Sequence, residues 1–181
     1  MSLLKLLGFG GATHPGSDLS GDTETVRRIV GKLEALEPER ARFIASFAYI
    51  LGRVAHADHD VSTEETAKME TIVRRLGHLP EDQAVLVVQI AKSQARLFGG
   101  TENFLVTREF NELAGREQKE ELLDCLFAVS AADDSISSVE EAQIRQIASE
   151  LGFTHREFVG ARSAYSDKRE VMRGFHEARD S

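Results

Sequence analysis

From about Thr23 onward, apolar residues recur every three or four positions and almost no alternating β-branched run interrupts them, which predicts an all-α chain. Val26, Ile29, Val30, Leu33 and Leu36 mark a first amphipathic helix. Pro38 suits the first turn of a second, whose Phe43, Ile44, Phe47, Ala48, Leu51, Val54 and Ala55 share one face as far as about Ala57. A third helix carries Met69, Ile72, Val73 and Leu76, and Gly77 is expected to stop it as a left-handed C-terminal cap. Pro80 opens a fourth, reaching about Phe98; it is apolar on nearly every side and therefore expected to be central and buried. Past Gly99 and Gly100, Thr101 to Leu113 reads as a short fifth helix with Phe104, Leu105 and Phe110 as its apolar residues. A sixth follows Gly115 and presents Leu122, Leu123, Leu126, Phe127, Val129 and Ala132. The seventh holds Ile144, Ile147 and Leu151 and is stopped at Gly152. Thr154 and Glu157 form a capping-box sequence that starts an eighth, with Phe158 and Tyr165 as apolar contacts.

The pattern repeats itself. Val54 to Glu65 returns without a gap, 75 residues later, as Val129 to Glu140. Between Leu51 and Gly77 ten positions keep their identity under that shift, including Asp58/Asp133, Ser62/Ser137, Glu65/Glu140 and Gly77/Gly152, which is too many for chance. The expected architecture is a single compact all-α domain of about seven to eight helices with an internal pseudo-repeat. Residues 1–22 read as a flexible leader and linker, 23–166 as the helical domain, and 167–181 as a charged tail.

Charge narrows the partners. The net charge is −8 and no long run of lysine or arginine exists, which argues against nucleic acid, whose phosphates demand clustered cations. Acidic clusters favour cations or basic protein surfaces instead. The leader has Leu3, Leu4, Leu6 and Leu7, but Lys5 interrupts them and glycines end the patch, too short for an export signal or an integral membrane segment. The single Cys125 forms no internal disulfide, so the cytoplasm is the expected compartment. Among Leu122, Leu123, Leu126 and Phe127, that cysteine reads as a small buried hydrophobe and not as a nucleophile.

The repeated stretch carries the candidate chemistry. Ser62 with Glu65, and Ser137 with Glu140, are capping boxes: the hydroxyl accepts from the third amide of the helix and the glutamate reaches back to the cap amide. Val61 and Ile136, just ahead of the caps, are expected to pack inward as staples. Asp58 and Asp133 are harder to explain by capping, because each falls at a helix C-terminus, where the dipole disfavours a carboxylate. Backbone amides of the turn, a neighbouring Arg53, or a bound cation would each offset that cost. The first turn also offers Asp60 and Glu64, and the second Asp134 and Glu141, so oxygen ligands for a hard divalent ion are at hand. The candidate metal ligands are Asp58, Asp60, Glu65, Asp133 and Glu140, for calcium, magnesium or manganese ahead of zinc; His56 and His59 are the nitrogens that would draw zinc in. The loop is no EF-hand, since Thr63 and Met69 stand where glycine and glutamate belong. His14, His78, His155 and His176 are scattered, no phosphate loop or triad is visible, and no enzyme is expected.

Ala57-Asp58-x-x-Val61-Ser62-x-x-Glu65 and Ala132-Asp133-x-x-Ile136-Ser137-x-x-Glu140, each followed by an apolar helix ending in Leu-Gly, resemble the duplicated signature of the TerB-like family. The resemblance covers roughly Arg40 to Tyr165. It implies an all-helical domain, a divalent-cation site built from Asp58, Glu65, Asp133 and Glu140, and roles in stress-response or chaperone complexes with protein partners, including membrane-associated ones. His59 and Asp134 stand where that family usually has a glycine after the aspartate; both tolerate the left-handed region better than most. The two functions this leaves are a cation-holding stress-response module that docks on proteins, and a metal-free, co-chaperone-like interaction domain. The His-Pro-Asp tripeptide of a complete J-domain co-chaperone is missing.

Overall fold

The computed structural model describes residues 19–55, 62–93, 103–133 and 136–163, with side chains from 24 onward and without that of Asp133. Within them the protein is all-α, with eight helices: α1 (Leu19–Glu34), α2 (Pro38–Ala55), α3 (Thr63–Leu76), α4 (Glu81–Lys92), α5 (Asn103–Leu113), α6 (Arg116–Ser130), α7 (Ser138–Glu150) and α8, helical from 155 to 163. A single 3₁₀ turn, Ala131–Asp133, follows α6.

Helix α2 is the axis of the fold. Its Ala41, Phe43 to Gly52 and Val54 are all buried, more than one stripe can account for, so it is enclosed by neighbours on most sides. It packs on α1, α4, α5, α6 and α7. Phe43 stacks on Phe110 of α5 at 5.4 Å between ring centroids, and Phe47 meets the same ring edge-on at 6.2 Å. Such pairs add about 0.5–1.5 kcal/mol each beyond the area they bury. Helix α4 is enclosed as its composition predicts, with Ala84, Leu86, Val87, Val88, Ile90 and Ala91 all buried. Helix α8 is held through Phe158, buried and 5.7 Å from Phe127 of α6.

Two boundaries differ from the periodicity, and one helix turns a face the periodicity does not specify. Helix α1 begins at Leu19, upstream of the first apolar repeat. Helix α4 ends at Lys92 rather than near Phe98, with Ser93 capping it; residues 94–102 lie outside the described set. In α5 the inward residues are Val106, Thr107 and Phe110, whereas Phe104 and Leu105 are 62% and 48% exposed. The reason is polar: buried Thr107 donates to the half-buried Glu150 carboxylate at 2.7 Å, while Asn103, exposed at the start of the helix, accepts from the Tyr49 hydroxyl at 2.7 Å, and the helix held this way carries Phe104 and Leu105 on its outer side.

The two Leu-Gly helix ends are not alike. Gly152, at φ 84°, is left-handed and donates to Ser149 as the left-handed stop the sequence suggests. Gly77 caps α3 in the right-handed region, at φ −80°, and the left-handed residue is His78, at φ 51°. Gly77 is required by crowding: a Cβ there would lie 2.5 Å from the Val73 carbonyl oxygen, 3.3 Å from the Phe47 ring and 3.5 Å from Cys125 Sγ. Cys125 is fully buried beside it, and burial pushes its thiol well above the ordinary cysteine range, which accords with a packing role.

Candidate functional site

Each motif ends one helix and begins the next, and the serine and glutamate of both have one evident task. Ser62 Oγ accepts from the Glu65 amide at 3.2 Å, while Glu65 Oε2 accepts from the Ser62 amide at 2.6 Å. At the second motif Ser137 Oγ accepts from the Glu140 amide at 3.2 Å, and Glu140 Oε2 accepts from the Ser137 amide at 2.8 Å and from its hydroxyl at 2.6 Å. Both are complete capping boxes, and they satisfy amides that a helix start leaves without internal partners. The bonds from the Ser62 amide and hydroxyl hold the Glu65 carboxyl below its ordinary range. Ile136 packs partly against the core, as a staple would.

The aspartates stand differently. The backbone of Asp133 closes the 3₁₀ turn after α6, so the helix does not stop at the Ala-Asp pair but tightens through it. Asp58 and Asp60, with Val61, His56 and His59, lie outside the described residues. Among the described residues no group of three or more histidine, cysteine, aspartate or glutamate side chains is placed to hold a metal ion. Glu65 and Glu140 each use Oε2 for the cap, and no bond engages Oε1 of either among the described residues.

Arg53, one turn ahead of the first motif, is committed elsewhere. Its guanidinium makes a bidentate pair with Glu150 near the end of α7, Nη1 to Oε2 at 2.8 Å and Nη2 to Oε1 at 3.3 Å, with side chains 8% and 14% exposed. Thr107 donates to Glu150 Oε2 at 2.7 Å, Gln146 donates to Oε1 at 3.1 Å, and Asn111 donates to the Glu150 carbonyl at 2.7 Å. One carboxylate thus ties α2, α5 and α7 together. Partial burial alone would raise its pKa; the bonds from Arg53 and Thr107, the charge of Arg53 and the bond from Gln146 outweigh that and hold it below the ordinary range. A second pair, Arg42 with Glu109, joins α2 to α5. Neither was sought by motif reading, because the partners stand 97 and 67 residues apart. The available signal was an arginine within a helix apolar on most sides, which needs a carboxylate if it is buried.

The eighth helix has the box its sequence predicts. The Thr154 amide donates to Glu157 Oε2 at 2.7 Å, and the Glu157 amide donates to Thr154 Oγ1 at 3.2 Å. These bonds, with the charge of Arg116, hold the Glu157 carboxyl below its ordinary range. Between α7 and the start of α8 lies an open groove of about 540 Å³. No helix among the described residues is long and apolar enough to cross a membrane.

Comparison with known families places this arrangement. The family model described as "Tellurite resistance protein TerB" matches residues 43–163, from the buried face of α2 to the last described residue of α8. No curated protein and no solved structure matches the chain.

Proposed function

From the premise that the chain belongs to the TerB family, we propose that it is a non-enzymatic helical docking module whose repeated motifs serve first to build helix starts. A TerB domain is a non-catalytic unit, and its work is done by surfaces. The observation that carries the reading is the pair of capping boxes: at both motifs the serine and glutamate are spent on helix amides, with near-identical bond lengths at Ser62/Glu65 and Ser137/Glu140. The 75-residue offset then describes a pseudo-repeat in which α2 to α4 correspond to α6 to α8. Partners on this reading are proteins, in the cytoplasm or in a membrane-associated complex, and the stress-response role is the one its family implies.

A second reading keeps the cation. Glu65 Oε1 and Glu140 Oε1 have no bond among the described residues, so each carboxylate can cap with one oxygen and offer the other to calcium, magnesium or manganese alongside Asp58, Asp60 and Asp133. Calorimetric titration of chelator-treated protein with each ion, beside an Asp58→Asn/Asp133→Asn double variant, separates the two. Absence of heat with every ion is the expected result for the docking module. Micromolar binding that the double variant loses would replace that reading with a cation-holding one.

A further inference from the structure

Helix α1 is lightly attached. Of its described side chains only Ile29 and Leu33 are buried, against twelve residues in α2. Val26 and, in the turn beyond the helix, Leu36 pack partly against the core. It lies on α2 and α4, and its ion pair of Arg28 with Glu24, at 3.6 Å, stays within the helix. The seat beneath it is built without it: α2 and α4 pack on each other, and Arg40 Nε donates to Gln83 Oε1 at 2.9 Å to join them directly. The family match begins at residue 43, so it takes in α4 and all but the first turn of α2 and leaves α1 outside.

Gly31 adds an independent observation. It stands exposed in the interior of α1, its φ is not left-handed, and a Cβ there would meet nothing within 4 Å. Neither packing nor backbone angle asks for glycine, yet glycine inside a helix weakens it relative to alanine. A helix of this length is marginal in water when it stands alone. Helix α1 is therefore held chiefly by two side chains and loosened by its own sequence.

We propose that α1 is a releasable cover over an apolar face of α2 and α4, and that the face it leaves takes an amphipathic helix of a protein partner. The seat states the pattern the partner must carry: apolar side chains at positions i, i+3 and i+7, as Val26, Ile29 and Leu33 present them, on one side of an otherwise polar helix. The short turn at 35–37 tethers α1 beside its seat and gives it the advantage of high effective concentration, so the partner binds weakly while α1 is docked and more tightly once it is released. The proposal rests on the docking-module reading and gives that module a surface and a partner class.

Two measurements on the full chain test it. Native-state hydrogen exchange reads release: the α1 amides are expected to open locally and to be about a hundredfold less protected than those of α2, and Gly31→Ala to slow their exchange about fivefold. Fluorescence polarisation with a labelled peptide of residues 19–36 reads the face. The peptide is expected to bind the Ile29→Asp/Leu33→Asp variant, whose own α1 cannot dock, at least about tenfold tighter than the parent, and the same peptide carrying both aspartates is expected not to bind. Opening of α1 only with the whole domain, a Gly31→Ala variant that exchanges like the parent, or a double variant that loses its cooperative melt or ignores the peptide would each overturn the proposal. A parent that light scattering shows to be a dimer through exchanged α1 helices would give the seat to a second copy and overturn the partner class. None of these readouts involves the calorimetric titration with metal ions, so the docking module can stand where the cover fails.

Discussion

The Arg53–Glu150 pair allows the sharpest test of the packing argument. Replacing Glu150 by Gln leaves an arginine that is 8% exposed without its counter-charge, and replacing Arg53 by Met leaves a carboxylate with only the Thr107 hydroxyl and the Gln146 amide to hold it. Removing one member of a buried pair costs about 3–5 kcal/mol. The residual exposure of both side chains puts the expectation at the low end, about 3 kcal/mol. At about 2–4 °C per kcal/mol for a chain of this size, each single variant should melt about 6–12 °C below the parent. The Arg53→Met/Glu150→Gln double variant removes both charges, and should cost clearly less than the sum of the two single variants, with a coupling of at least about 1.5 kcal/mol. Acid supplies an independent arm. The folded Glu150 carboxyl titrates below its ordinary value of 4.5, so its contribution is complete above the unfolded pKa and is lost as pH falls through the folded one. The stability gap between parent and Glu150→Gln should therefore be constant near neutrality and narrow below about pH 4.5. Urea melts of the four proteins at pH 7 and pH 3.5 measure all of this. Strict additivity, or single variants within about 0.5 kcal/mol of the parent, would show that the pair is ornamental and that α7 is positioned by its apolar face alone.

Other expectations are simpler to read. Ser62→Ala and Ser137→Ala should each cost about 1 kcal/mol in urea melts, as lost helix caps do; a much larger loss at either would mean that serine does more than cap. Gly77→Ala should destabilise by about 1–3 kcal/mol through overpacking against the Val73 carbonyl and the Phe47 ring, whereas Gly152→Ala, with open space around it but φ at 84°, should cost only about 1 kcal/mol of backbone strain. Phe104→Ser with Leu105→Ser should leave the melting curve within about 0.5 kcal/mol of the parent, because both side chains are already outside. Cys125 should stay unreactive toward a thiol reagent in native buffer and react at once in denaturant, since the fold and not the reagent controls access to it.

How much of this was legible in the chain depends on the range of the physics involved. Capping is local: Ser, Glu and their spacing of three contain all the atoms of the box, so the helix starts at Ser62, Ser137 and Thr154 could be read directly. Apolar periodicity is nearly local, and it foretold the enclosed α4 correctly. It does not say which apolar residues of α5 face inward, because the direction in which α5 turns is decided by contacts such as that of Thr107 with Glu150, which form only after the chain has closed. The two glycines teach the same distinction more sharply. Gly77 and Gly152 occupy corresponding places in the two motifs, and spacing marks both as stops, yet Gly152 is glycine for its dihedral angle and Gly77 for the Val73 carbonyl and Phe47 ring pressed against it. The two motifs share sequence and local hydrogen bonding, but they do not have the same neighbours. Position 53 in the first half is an arginine reaching the second, whereas its counterpart 75 residues later is Ala128, a nearly buried residue of α6 with no charge to pair. The salt link is thus an asymmetry laid over a repeat. The two motifs therefore stand in different surroundings, so they should be tested one at a time as well as together.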